Sequence, residues 1–238
     1  MNNTSYVALS KQAGLAKELT SIANNVANAD TAGFRRESFV FSEYVRMLEP
    51  QDRSLSQSNV GGRFFDATPG AIVKTGSPYD LAIQGEGYFQ VQTPNGERLT
   101  RAGSFALDRE GQLTTPEGYL VLGEGASPIA VPQNATTIII AEDGSIAADG
   151  QPVGRVGLVN ADPTTLMREG GNLMRSTGDL EPIENPKMQQ GYIEESNVNP
   201  VLEIARLIEV QRAYEMGQKL LKDEDERISK TVEAMRTR

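Results

Sequence analysis

The chain has 238 residues, 23 Lys and Arg against 32 Asp and Glu, a formal net charge of −9, and neither cysteine nor histidine. Those absences exclude disulfides, thiolate nucleophiles, Cys/His zinc sites and the Ser-His-Asp triad. The acidic balance argues against nucleic acid or an anionic membrane as partner, and the length allows one large domain or two smaller ones.

Ala8, Leu15, Leu19, Ile22 and Val26 fall on a 4-3 spacing broken only by Gln12. This predicts an amphipathic helix from about Ser5 to Asn28. Gly33 can take the left-handed conformation that stops a helix, with Phe34 folding back onto the last turn. Asn24, Asn25 and Asn28 are poor helix formers that carry both donors and acceptors. They either cap a frayed helix end or bond neighbouring backbones in an assembly.

Ser38 to Val45 has strand-like residue types, and Gln51 to Gly62 is polar, like an exposed loop. Residues 35–79 therefore read as an extended linker or small subdomain. From Asp80 onward short strand-like runs follow one another: Leu81–Ile83, Tyr88–Val91, Arg98–Thr100, Ser104–Leu107, Tyr119–Leu122, Thr136–Ile140 and Val153–Val159. Between them stand the turn pairs Asn95-Gly96, Glu110-Gly111, Glu117-Gly118, Asp143-Gly144 and Asp149-Gly150. That pattern predicts an antiparallel β domain over 80–190. Pro182, Pro186 and Gly191 then lead the chain out of it.

Asn199 is a good N-cap and Pro200 a good first helical residue. The predicted helix runs from there to the end. Leu207, Tyr214, Leu221, Ile228 and Met235 recur every seven residues, with Ile204, Gln211, Gln218, Asp225 and Val232 as companions. So narrow a seam is of coiled-coil type and needs a partner, expected at the other end of the chain. The fold class is α+β: long N- and C-terminal helices paired in a coiled-coil-like bundle, with an inserted antiparallel β domain. Its segments are 1–34, 35–79, 80–190 and 191–238. Residues 1–33 and 200–238 each balance in charge, so the excess acid lies between them.

Little here suggests catalysis. Gly85-Glu86-Gly87 lacks the third glycine and following helix of a phosphate loop. Glu142-Asp143 and Asp149-Gly150 lack EF-hand spacing and suit hairpin turns. Asp108, Glu110 and Glu117 could supply a carboxylate pair for glycoside hydrolysis, but nothing around them suggests a raised pKa. The run Lys222 to Arg227 reads as a solvated helix surface. No cofactor, metal, small-molecule substrate or nucleic acid is expected. No apolar run reaches membrane-spanning length, and the N-terminus lacks the features of a cleaved signal peptide. The expectation is a cytoplasmic protein, or one that leaves by a route that reads no such signal.

Ala23-Asn24-Asn25-Val26-Ala27-Asn28 through Gly33-Phe34 resembles the N-terminal signature of bacterial flagellar rod and hook proteins. Ser196-Asn197-Val198-Asn199-Pro200-Val201 with Gln211-Arg212-Ala213-Tyr214-Glu215 resembles their C-terminal signature. Lys74 to Phe89 and Thr100-Arg101-Ala102-Gly103-Ser104-Phe105 are similar to their middle domain. The opening Tyr6-Val7-Ala8-Leu9-Ser10 and the modest length look most like a proximal-rod subunit, while Gln211 to Glu215 also fits a distal-rod pattern.

The resemblance implies a structural subunit of the basal-body rod, which crosses the periplasm and transmits torque from motor to hook. Terminal helices of many subunits would surround the export channel, with the β domain outside. Implied partners are copies of itself, other rod proteins and the flagellar export apparatus, through which a cysteine-free chain could pass unfolded. Implied assembly residues are Leu15, Leu19, Ile22, Asn24, Asn25, Val26, Asn28, Gly33, Phe34, Asn197, Asn199, Pro200, Ile204, Leu207, Gln211, Tyr214, Leu221 and Ile228. The alternatives are a distal-rod subunit or, in a different class, an acidic β-domain hydrolase.

Overall fold

The computed structural model describes residues 3–46, 55–170 and 172–236, with backbone alone for 3–7, 40–46 and 55–63. The fold is α+β and divides into two compact units. One comprises residues 1–27, 37–66 and 199–238; the other comprises 28–36 and 67–198.

The first unit holds helix α1 (Asn3–Ala27), an antiparallel hairpin of β1 (Glu37–Arg46) and β2 (Leu55–Phe65), and helix α2 (Pro200–Arg236). Helix α2 begins where its cap dictates, since Asn199 Oδ1 accepts from the amides of Val201 at 3.1 Å and Leu202 at 3.2 Å. The hairpin changes the reading of 35–79. Residues 37–66 belong with the helices, and 67–79 belong with the β unit. Of the loop expected over Gln51 to Gly62, residues 55–62 are strand and 51–54 lie outside the described residues. Strand β2 is too polar to announce itself. It is held by its ladder to β1, where Val40 faces Gly62 and Phe41 faces Val60, leaving Gly61 as a bulge.

Along α2, Glu203 and Val210 are buried, and Leu207, Tyr214, Gly217 and Leu221 are half-buried on the same face. The seven-residue row of Leu207, Tyr214 and Leu221 is thus on a covered face. Its companions are Glu203, Val210, Gly217 and Glu224, one residue earlier than expected, while Ile204, Gln211, Gln218 and Asp225 are exposed. The reason is chemical: the covered face includes a carboxylate and a glycine, and an apolar pattern marks neither. Helices α1 and α2 run antiparallel, matched through Gln12 with Tyr214, Glu18 with Arg206 and Asn25 with Glu203. The contacts that match them are polar, so they do not establish the coiled-coil pairing anticipated from the seam.

The second unit is built of short antiparallel strands. The chain enters it through β3 (Ile72–Lys74), β4 (Leu81–Ile83), β5 (Tyr88–Thr93) and β6 (Gly96–Thr100). Strands β5 and β6 lie inside a nine-stranded sheet, flanked by Leu173–Ser176 and Leu120–Leu122. A three-stranded sheet of Ile138–Ile140, Ser145–Ala148 and Gln151–Arg155 accompanies it. Leu81, Phe89, Val91, Leu113, Val121, Ile146 and Val156 form the core, with Phe105 edge-on to Phe89 at 5.1 Å. The glycines of the five anticipated turn pairs all have positive φ. At Asp149-Gly150 both residues do, at 49° and 78°, as a two-residue hairpin turn requires. The returning chain pairs with the arriving one, Met188–Gln190 with β4 and Tyr192–Glu194 with β3.

Candidate assembly site

Among the described residues each unit holds a buried polar node, the first inside the N-terminal signature and the second two residues before the C-terminal one. In the helical unit the node is Asn25, 1 % exposed. Its Oδ1 accepts from the Glu37 amide at 3.0 Å, and its Nδ2 donates to the Glu37 carbonyl at 2.9 Å and to Glu203 Oε2 at 3.1 Å. Ser21, one turn earlier on α1, donates its hydroxyl to the same Glu37 carbonyl. One amide therefore ties α1, the start of β1 and the first turn of α2. Glu18 adds an ion pair with Arg206 at 2.7 Å, which holds the Arg206 guanidinium above its ordinary pKa through the hydrogen bond to Glu18.

In the β unit the node is Glu194, also 1 % exposed. Its carboxylate pairs with Arg35 at 2.8 Å and Arg101 at 2.7 Å, and accepts from the Gly70 amide at 3.0 Å. Arg101 also donates to the carbonyls of Gly85 and Gly87. The Gly85-Glu86-Gly87 turn of the middle motif thus presents carbonyls to a buried guanidinium. Both glycines adopt positive φ to do so. Burial in this neighbourhood also pushes the Tyr88 phenol above its ordinary pKa, although Arg35 and Arg101 pull the other way.

Gly33 does not stop the helix. Helix α1 ends at Ala27, and a turn in which Asn28 accepts from the Thr31 amide and hydroxyl follows. Gly33, with φ of 67°, donates to the Glu194 carbonyl at 2.7 Å, and a Cβ on it would stand 2.3 Å from the backbone of Arg101 and Ala102. Close approach fixes its identity. Phe34 is buried beneath the Arg168 guanidinium, 4.0 Å from its ring centroid, and is not folded onto a helix turn. Gly103 of the middle motif is fixed in the same way, since a Cβ there would meet the Leu81 carbonyl oxygen at 1.7 Å.

The remaining anticipated assembly residues separate into two groups. Ile22 is buried, and Leu15, Leu19, Val26, Leu207, Tyr214 and Leu221 are half-buried. Asn197 accepts from the Arg36 amide at 2.6 Å and donates to the Thr68 carbonyl at 2.8 Å. Asn24, Pro200, Ile204, Gln211 and Ile228 are exposed, as is the cap residue Asn199. More apolar residues on α2 are exposed besides these: Val201 at 73 %, Leu202 at 66 %, Met216 at 68 % and Leu220 at 57 %, with Ile208. Spacing alone marked neither this second apolar group nor Gln12, Glu18, Glu194 and Glu203.

Of the acidic residues weighed for chemistry, the three aspartates serve turns. Asp108 Oδ1 accepts from the amides of Glu110 and Gln112, and Asp149 from those of Thr136 and Thr137. Asp143 accepts from the amide and hydroxyl of Ser145, which holds its carboxyl below the ordinary carboxylate range. A cavity of about 450 Å³ in the β unit is lined by small and neutral residues with Glu117 and Glu169, and Glu169 is taken by Arg98 and Arg175. Among the described residues no helix is long and apolar enough to cross a membrane.

Comparison with known proteins agrees with the signatures. Residues 6–35 match the family model of flagella basal body rod proteins. Residues 82–148 match that of the flagellar hook protein FlgE/F/G D1 domain, and residues 189–234 that of the flagellar basal body rod FlgEFG protein C-terminal region. The chain is 39% identical to the flagellar basal-body rod protein FlgF of Caulobacter vibrioides, over 99% of this chain and 98% of that one. It is 38% identical to FlgF of Mesorhizobium japonicum, over 100% of this chain and 98% of that one. It is 37% identical to FlgG of Buchnera aphidicola, over 88% of this chain and 90% of that one.

Proposed function

The chain belongs to the family of flagellar basal-body rod proteins, and from that premise we propose that it is a proximal-rod subunit of FlgF type that carries torque from motor to hook. As a rod-family member it is a structural, non-enzymatic component of the basal body that assembles with its own kind and with other rod proteins. The distal-rod reading is less favoured, because the FlgF relatives combine 38–39% identity with 99–100% of the chain, whereas a FlgG relative that also spans nearly all of it is 30% identical.

The observation that carries the mechanism is the uncovered apolar face of α2. Val201, Leu202, Ile208, Met216 and Leu220 are exposed in a helix whose covered face already meets α1. Burying each such side chain contributes about 1.5–3 kcal/mol, so packing α2 of one subunit against helices of the next supplies the drive for assembly. The terminal helices of successive subunits, packed in coiled-coil fashion, surround the export channel. The anticipated residues Ile204 and Gln211 border this intersubunit surface, while the exposed Ile228 continues the row of Leu221 toward the C-terminal end of α2. Leu15, Leu19, Ile22, Leu207, Tyr214 and Leu221 hold the helices of one subunit together. The chain reaches its place through the flagellar export apparatus.

A density map of the intact basal body tests the assignment. It should place this chain in the proximal rod with α2 against helices of neighbouring subunits. Density for it in the distal rod, or outside the rod, would overturn the assignment.

A further inference from the structure

A seam that repeats every seven residues does not define its own alignment. Leu207, Tyr214, Leu221 and Ile228 would present nearly the same ledge to α1 after a slide of two turns. What breaks the repetition is Gly217, the sole glycine of the 37-residue α2. Glycine is disfavoured in a helix interior. A Cβ at this position would stand 2.0 Å from Gln12 Nε2, and that nitrogen donates to the Tyr214 carbonyl at 2.9 Å. Gln12 is buried, and its Oε1 has no hydrogen-bond partner among the described residues. The residue that interrupts the apolar spacing of α1 thus occupies the notch left by the one glycine of α2.

We propose that Gln12 and Gly217 set the axial register of α1 against α2. A slide of seven residues would bring Gln12 against Val210 or Glu224 in place of Gly217. A side chain would then fill the notch, and the amide would be buried short of a backbone carbonyl. The buried amide keeps one hydrogen bond, to the Tyr214 carbonyl, and its Oε1 has no partner among the described residues. This is the signature of a polar group that secures alignment at a cost in stability. Glu18 with Arg206, and Asn25 with Glu203, favour the same alignment from further along the pair. The inference concerns the two helices of one subunit and holds for a proximal or a distal rod position.

The chain has no cysteine, so an introduced pair is the only source of disulfide. The alignment of Gln12 with Gly217 sets Ala8 against Leu221, four residues away on each helix, whereas a seven-residue slide sets Ala8 against Ile228. In the full chain, Ala8→Cys with Leu221→Cys should cross-link about ten-fold faster under mild oxidation than Ala8→Cys with Ile228→Cys. Adding Gly217→Ala to each pair should cut that preference to about two-fold or less, because the methyl displaces the flexible amide end, even though alanine favours helix. Gln12→Ala, which empties the notch, should do the same. Helicity by circular dichroism should hold or rise with Gly217→Ala. A cross-linking preference unchanged by either substitution would overturn the proposal.

Discussion

Asn25 and Glu37 are joined as two strands of a sheet are joined, with the side-chain amide of one standing in for a backbone. Oδ1 accepts from the Glu37 amide at 3.0 Å and Nδ2 donates to its carbonyl at 2.9 Å. The second hydrogen of Nδ2 reaches Glu203, so the amide meets a donor, an acceptor and a carboxylate with the groups each requires.

Asn25→Asp is therefore a sharper test than truncation. It replaces the donor with a carboxylate oxygen, buried against that of Glu203. Asn25→Ala should cost about 1–3 kcal/mol, the penalty of leaving buried groups unsatisfied. Asn25→Asp should cost about 3 kcal/mol or more at neutral pH, and less in acid, where the carboxyl pair can share a proton. Urea unfolding at two pH values measures both.

In the β unit, Glu194→Gln keeps the shape and removes the charge. The buried Arg35 and Arg101, at 5 % and 2 % side-chain exposure, would each lose their ion pair with Glu194. The expected loss is about 3–5 kcal/mol, read by urea denaturation with the fluorescence of the β unit's tyrosines. A loss under 1 kcal/mol (roughly the surface-pair value) would mean that the pairing contributes little.

Much of this was legible beforehand. The five turn glycines, the Asn199 cap and the seven-residue row of Leu207, Tyr214 and Leu221 all carry local signals, because turn chemistry, capping and periodicity act over a few residues. Strand β2 carries none, since its pairing with β1 is a long-range event on a polar stretch. Glu194 was invisible for a related reason: a buried carboxylate is recognised by its arginines, and these lie at positions 35 and 101. Glu203 and Gly217 misled the placement of the companion row. Each is an exception to apolar patterning, explained only by the residue opposite, Asn25 in one case and Gln12 in the other.

Tyr88 gives a prediction in alkali. Burial raises its phenol pKa above the ordinary 10.0, so the folded chain holds this proton more tightly than the unfolded chain. The stability it contributes is complete below pH 10.0 and is lost as pH rises from there through the folded pKa. Tyr88→Phe should lack this component. Denaturant midpoints between roughly pH 9 and 11 should fall more steeply for the unsubstituted chain than for Tyr88→Phe. Parallel slopes would show that Tyr88 ionises as freely in the folded chain as in the unfolded one.

The most direct measurement compares Met216→Asp with Leu221→Asp in purified protein and in cells. Met216 is 68 % exposed, so a carboxylate there should leave the melting of the isolated chain unchanged, within about 0.5 kcal/mol. Leu221 is half-buried on the covered face, and its substitution should lower the stability of the helical unit. If the exposed face of α2 binds neighbouring subunits, Met216→Asp should be absent from basal bodies and the cells should not swim, although the chain itself is sound. Met216→Asp rods assembled in normal number and supporting normal swimming would contradict an intersubunit role for that face.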